Sequence, residues 1–459
     1  MRMTLSDNQI QHLYWRAGFG ITRKELQSIQ NKSVEIHIDL LFEKSAYVPL
    51  KYDLSKFDVD LKKLSKEERK NLRQEANKTM IALNLHWMQH MVKTEGILRE
   101  KMALFFHDHF AVRLKNPVVS LELLNIIRKN ALGNFGDLLL EVSRSPAMIL
   151  FLNNQQNKKT HPNENFAREV MELFTLGRDN GYTEEDIKEA ARAFTGWTID
   201  KQFKFRFNER VHDEGNKTIL GQTGNFKGED VIRILLEQKQ TAKYLCNKLL
   251  EFLLGVKPDQ IDVERCADLL YNSNYNLENL LRSIFTSDAF YEEQYIGQKI
   301  KSPTDLLVGI NRQVPIEYKE PKVILQVQRR LNQVLFFPPN VAGWNRGQGW
   351  IDSSTLLIRM KLPSLVLNFG VIEWQPDATL SEEMIAKLNN RQEKLQKRTE
   401  KKVQAYPNWE KCAENFSDSV ENLDTFLLQT PPVSVAIEES DDLKTRIIKI
   451  MSTPEYQLC

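Results

Sequence analysis

The sequence predicts a mostly α protein: a large, irregular multi-helix domain with a short β-hairpin or extended loop near residues 197–224. Three observations carry this. Apolar residues recur at helical spacing from end to end, helix-start signals punctuate the chain, and no repeat with a period of about 20–50 residues is present, which argues against a solenoid. In order, the start signals are Ser6-Asp7, Thr22, Ser33, Thr183-Glu184-Glu185-Asp186, Ser302-Pro303 and Ser381-Glu382-Glu383. Each offers a side-chain oxygen to the free N–H groups of a first helical turn. From Trp197 to Gly224 the pattern changes: Phe203, Phe205 and Phe207 alternate with Lys204 and Arg206, then run into glycine-bearing turns. Lys51 to Lys78 reads as a charged insertion, helical with solvated faces, and so does Lys387 to Lys402, with Arg391, Lys394, Lys397 and Arg398. The expected division is a main helical domain over 1–375 and a C-terminal helical segment over 376–459 packed on it.

Composition narrows the class. Lys and Arg total 63 against 61 acids in 459 residues, a formal charge of +2, so no global field draws the chain to nucleic acid or an anionic membrane. Cys246, Cys266, Cys412 and Cys459 lie too far apart for paired metal-ligand spacing and read as reduced thiols. No stretch reaches the roughly 20 apolar residues that span a bilayer. The N-terminus lacks the apolar core of a signal peptide, which points to a cytoplasmic chain unless a signal was removed.

The densest chemistry lies between Pro162 and Gly177. At helical spacing Phe166, Val170, Leu173 and Phe174 form one apolar stripe, with Asn165, Glu169 and Glu172 along its flank and Glu164 and Arg168 opposite. Acids beside a buried stripe call for a partner, so Glu169 and Glu172 are the first catalytic candidates and Arg168 a substrate-binding one. The plainer reading is a helix whose acids pair with neighbouring arginines.

Three further constellations stand out. In Leu98–Phe110 the helical wheel sets His109 among Leu98, Met102, Phe105, Phe106 and Phe110, with His107 about 200° away, so one helix cannot aim both at one ion. His86 and His90 have ligand-like spacing but fall away from the apolar side and read as surface residues. His212 to Thr218 offers an imidazole, the Asp213 carboxylate and the Lys217 ammonium in an irregular segment, against the plainer reading of a polar turn. Phe336 to Thr355 is a rigid aromatic loop ending in an Asp/Ser/Ser/Thr cap; Asn340, Trp344 and Trp350 there suit a flat, sugar-like ring or equally a packed core.

In their order along the chain, several motifs resemble a large bacterial family known as domain of unknown function 1800. They are His12-Leu13 through Arg16-Ala17-Gly18-Phe19-Gly20, Arg99-Glu100-Lys101-Met102 with Phe106-His107-Asp108-His109-Phe110, the Asn163–Gly177 block and Ala190–Trp197. His212-Asp213 with Lys217-Thr218, Lys301-Ser302-Pro303 and Pro338–Trp344 leading to Ser353-Ser354-Thr355 complete the set. The resemblance implies no settled activity. It implies a pathway outside the cytoplasm shared with a sulfatase-like or phosphatase-like protein, whereas the missing signal peptide points the other way. Phe106 and Asp108 stand where members often carry tryptophan and asparagine. A passing similarity of Phe105–Phe110 to the distal helix of haem peroxidases fails at Ala103, where that helix carries arginine.

Two functional readings follow. The first is a hydrolase, metal-assisted or acid/base, whose pocket gathers Glu169, Glu172, His212, Asp213 and Lys217, with His107, His109 and His212 as ligands of a divalent metal ion. The second is a non-catalytic helical scaffold or accessory protein that binds a glycan or protein partner through the Trp344–Trp350 loop.

Overall fold

The computed structural model describes residues 4–60, 62–318, 322–368, 405–416, 423–431, 437–438 and 440–459. The first part of the chain forms α1 (Asp7–Arg16), α2 (Arg23–Ile29), α3 (Val34–Glu43), α4 (Lys66–Lys93) and α5 (Ile97–His109). Next come α6 (Pro117–Asn130), α7 (Phe135–Arg144), α8 (Pro146–Phe151), α9 (Asn165–Glu169) and α10 (Glu184–Ala193). Then α11 (Gly228–Leu236), α12 (Lys239–Leu254), α13 (Gln260–Asn272) and α14 (Leu277–Thr286) precede α15 (Pro303–Gln313), α16 (Lys322–Arg330) and α17 (Ser353–Asn368). Short helices at Trp409–Phe416, Leu423–Leu427 and Leu443–Met451 follow.

Four of the start signals become reciprocal capping boxes: Ser6 with Gln9, Thr22 with Glu25, Thr183 with Asp186 and Ser302 with Asp305. Each pair satisfies two N–H groups that the helix itself leaves free. Ser33 opens α3 without a side-chain bond. The charged insertion is helical only from Lys66; before it the chain is irregular, with a single 3-10 turn at Ser55–Phe57. The Ser381 signal and the Lys387–Lys402 run lie outside the described residues.

Where one hairpin or loop was expected, two antiparallel hairpins stand. β1 (Trp197–Ile199) pairs β2 (Phe205–Phe207), Trp197 facing Phe207, and β3 (Lys217–Ile219) pairs β4 (Gln222–Gly224). A third pair, β5 (Ile316–Tyr318) with β6 (Ala405–Pro407), joins residues far apart in sequence.

The apolar core runs through the whole set of helices. At its centre lies α5, whose Leu98, Met102, Phe105 and Phe106 are all fully buried, followed by Phe110. Each such side chain contributes roughly 1.5–3 kcal/mol by leaving water. Lys299 and Cys459 bond each other's backbones in both directions, at 3.1 and 2.8 Å, which ties the last residues to the loop before α15. All four cysteines are buried and free. Among the described residues no helix is long and apolar enough to cross a membrane.

Candidate functional site

The three histidines expected as metal ligands are not brought together. His107 Nε2 accepts the Phe336 N–H at 3.0 Å, its ring lying among Trp87, Phe336 and Trp344. His109 Nε2 meets the Phe174 carbonyl at 3.1 Å inside a cage of phenylalanines, and His212 Nδ1 meets the Thr195 carbonyl at 2.9 Å. Burial pushes the His107 imidazole down to about 3 and that of His109 well below its ordinary range, the latter helped by the nearby Lys248 charge. Among the described residues no group of three His, Cys, Asp or Glu side chains is arranged to hold a metal. The reason is local: neighbours on α5 face different partners, and each imidazole is used to hold a loop or helix in place. His86 and His90 are half-buried rather than on the surface. His86 packs on Tyr52, and His90 Nε2 lies 3.3 Å from Glu100 in a buried group with Arg128.

The Asn163–Gly177 block folds as foreseen for its stripe, with Phe166, Val170, Leu173 and Phe174 buried. It also carries a feature that the pattern does not announce, since α9 widens into a π-turn over Val170–Thr175. Thr175 Oγ1 caps the freed Val170 carbonyl at 2.6 Å. Glu172 is held by Arg168 at 3.4 Å and Arg178 at 3.6 Å, while Arg168 also binds Glu164 and Glu184. Glu169, half-buried, forms no hydrogen bond or ion pair among the described residues, and burial followed by the Glu172 charge raises its carboxyl above the ordinary range. No imidazole reaches either acid; His109 meets this segment at the Phe174 carbonyl and the Phe174 ring.

The His212 segment is a polar turn built into the fold. Asp213 takes Nε and Nη2 of Arg192 at 2.8 and 3.1 Å, and that guanidinium, ahead of other causes, lowers its carboxyl below the usual range. Lys217, buried, donates to the carbonyls of Asp213 and Gly215 and to Asn225. Asn340, exposed, accepts the Ala342 N–H at 2.9 Å and so closes a turn.

A cleft does form, beneath the aromatic loop and away from the glutamate pair. Asp108, Glu251, Phe252, Lys299, Trp344 and Trp350 are among the residues that line it. Both tryptophans are buried, so they wall the cleft and pack into the loop at once. Asp108, at the end of α5, binds Arg346 Nε and Nη2 at 3.0 and 2.6 Å, and its other oxygen takes the Trp344 N–H at 2.8 Å. Gly343, at φ +89°, makes this approach feasible, since a Cβ there would collide with the Asp108 carboxylate. The Asp352 carboxylate ends the loop by capping α17 through the N–H groups of Ser354 and Thr355, both at 2.8 Å, as the Asp/Ser/Ser/Thr pattern anticipates.

One face of α12 leads into the cleft: Tyr244, Lys248 and Glu251 sit at i, i+4 and i+7. Tyr244 lies against Gly177 at the end of the π-turn segment, and Gly255, past the other end of the helix, lies against Lys299. Burial brings the Lys248 ammonium down to about 7, with Arg346 adding to the effect. Glu251 makes no side-chain hydrogen bond or ion pair among the described residues. Sequence reasoning passed over Asp108, Lys248, Glu251, Lys299 and Arg346 as site residues; the signals for part of this set were the spacing of Tyr244, Lys248 and Glu251 and the two motifs that hold Asp108 and Arg346.

These features define a helical protein with a largely apolar cleft that holds a few charged side chains and is roofed by an aromatic loop. The chain belongs to the family described as protein of unknown function (DUF1800), whose model matches residues 12–458. No curated protein and no solved structure matches it.

Proposed function

We propose that the chain is a hydrolase working by acid and base catalysis in the cleft beneath the aromatic loop, on a small molecule with a flat or ring-shaped apolar face. The observation that carries this reading is a pair of carboxylates in unequal surroundings on one cleft. Asp108 is oriented by three hydrogen bonds, two from Arg346 and one from Trp344, whereas Glu251 lines the same cleft with no side-chain partner among the described residues. Unequal carboxylates divide into a base and a proton donor. Trp344 and Trp350 supply apolar walls for a sugar-like ring. The metal-assisted form finds no donor set among the described residues, so the acid/base form is the one proposed. The Glu169–Glu172 pair, one acid paired and one not, remains a second carboxylate set for the same chemistry.

The test is turnover of a panel of chromogenic glycosides and esters by the whole chain and by Glu251→Gln and Glu169→Gln. Glu251→Gln is expected to lower kcat by about 10²–10⁴ with an unchanged melting temperature. Full activity in Glu251→Gln sinks the assignment to this cleft, and loss confined to Glu169→Gln moves it to the π-turn.

The alternative, an accessory protein that binds a glycan or protein partner through the aromatic loop, is favoured by one observation. Two of the three acids considered for chemistry from sequence, Glu172 and Asp213, are engaged by arginines. It predicts quenching of tryptophan fluorescence by oligosaccharides with no turnover.

A further inference from the structure

The floor of the cleft holds a cation that the fold leaves without a counterion. Lys299 is 6% exposed, and its Nζ has no hydrogen-bond partner among the described residues. It makes no ion pair among the described residues, resting instead over the Phe252 ring at 4.4 Å. The charged and titratable groups that face it are Lys101 on α5, Arg16 and His12 on α1, Asp305 on α15 and Cys459. Asp305 is already engaged, by Lys101 Nζ at 2.5 Å and the Ser302 N–H at 3.1 Å. The other deep cations are satisfied mainly by carbonyls: Arg16 by Tyr295 at 2.7 Å, Lys301 by Tyr456 at 2.7 Å, and Arg359 by Lys301. At the rim, Arg346 offsets Asp108, and the Lys248 charge acts against that of Glu251. Positive charge is therefore in excess at depth, and the side chain that carries the unpaired ammonium is among those lining the cleft.

We propose that the cleft takes a ligand bearing an oxyanion, a carboxylate, sulfate or phosphate group, and that Lys299 receives this group at the floor while the aromatic loop covers the rest. This deepens the hydrolase reading and rests on it only in calling the ligand a substrate. Burial, and then the Lys101 charge, bring the empty Lys299 amine down to about 7. Because the anion selects the ammonium form, binding above that pH takes up a proton, and affinity falls about tenfold for each further pH unit.

The experiment is titration calorimetry of the whole chain with sodium sulfate, glucuronate and inorganic phosphate at constant ionic strength, at pH 6, 7 and 8, in buffers of differing ionisation heat. Sulfate and glucuronate do not titrate in this range, so protons taken up with them belong to the protein; phosphate's own titration is subtracted. At least one anion is expected to bind, about five times more weakly at pH 8 than at pH 7 and with proton uptake at pH 8. The anion that binds names the group. Lys299→Gln and Lys299→Met are expected to lose at least tenfold in affinity. No binding by any of the three at pH 6, or equal binding in both variants, overturns the inference. Should neither variant fold, binding at pH 8 without proton uptake by the unaltered chain overturns it as well. Anion binding with no hydrolysis of any panel substrate supports the inference while the hydrolase reading falls; hydrolysis lost in Glu251→Gln with no anion binding does the reverse.

Discussion

Arg346 grips Asp108 through two N–H groups at 3.0 and 2.6 Å, so a single carboxylate at the end of α5 sets where the aromatic loop lies. Its second oxygen holds the loop backbone at Trp344. Arg346→Met is expected to cost about 1–2 kcal/mol, the lower part of the range for charge-assisted bonds because the pair is partly exposed. Urea unfolding monitored by tryptophan emission checks it. An unchanged midpoint together with an unchanged spectrum would show that the loop is held by packing alone.

Glu100 is the more consequential acid for folding. It is almost fully buried and accepts Arg128 Nε and Nη2, the Trp87 indole N–H at 2.8 Å, and a contact from His90. Burial alone raises its carboxyl, yet the bonds from His90 and Arg128 prevail and hold it down to about 2. A depressed carboxyl contributes stability that is full above the unfolded value near 4.5 and is lost as pH falls towards about 2. Glu100→Gln is expected to cost about 3–5 kcal/mol at pH 7 by leaving the buried Arg128 short of its counter-charge, with the difference from the unaltered chain shrinking below pH 4. Denaturation at pH 7 and pH 3 decides this.

For Lys299 the sign is opposite. Its folded value of about 7 lies below the ordinary 10.5. Between the two the unfolded chain keeps a proton that the fold has shed, so folding stability rises with pH across that window and the penalty is complete below about 7. Lys299→Met is therefore expected to be more stable than the unaltered chain at pH 6, by an amount on the order of 1 kcal/mol or more, with the gap closing towards pH 10. Melting temperatures of both proteins across that range test it; a less stable variant at pH 6 would contradict it.

Asp213→Ala should act on the hairpin region and not on chemistry. It strips Arg192 of one of its two acid partners, Glu189 being the other, and is expected to cost about 1–2 kcal/mol. Turnover is expected to stay within threefold of the unaltered chain. A hundredfold loss with intact stability would restore His212 and Asp213 as candidates.

Much of the helix framework was legible because capping and amphipathicity are local. Ser6, Thr22, Thr183 and Ser302 announce their helices within four residues, and the stripe of Phe166, Val170, Leu173 and Phe174 is buried as its spacing implies. The π-turn was not legible, for it answers to Thr175 back-bonding to Val170 and to the packing around it rather than to residue periodicity. The candidate site was legible only in its roof. Trp344 and Trp350 were named from sequence, whereas Glu251 and Lys299 are unremarkable in their own stretches of chain and Asp108, though inside a family motif, gains its role only from Trp344 and Arg346 across the fold.

By itself the sequence determined the class of fold, many of the helix starts and the family motifs, all set by interactions between residues close along the chain or by composition. Only the tertiary structure decided that the histidines hold loops instead of gathering round an ion, that arginines engage Glu172 and Asp213, and that Lys299 lines a cleft with no partner for its ammonium among the described residues. The physical reason is that an ionisable group's role depends on burial and on the charges it meets across the fold. Neither is a property of its neighbours in sequence.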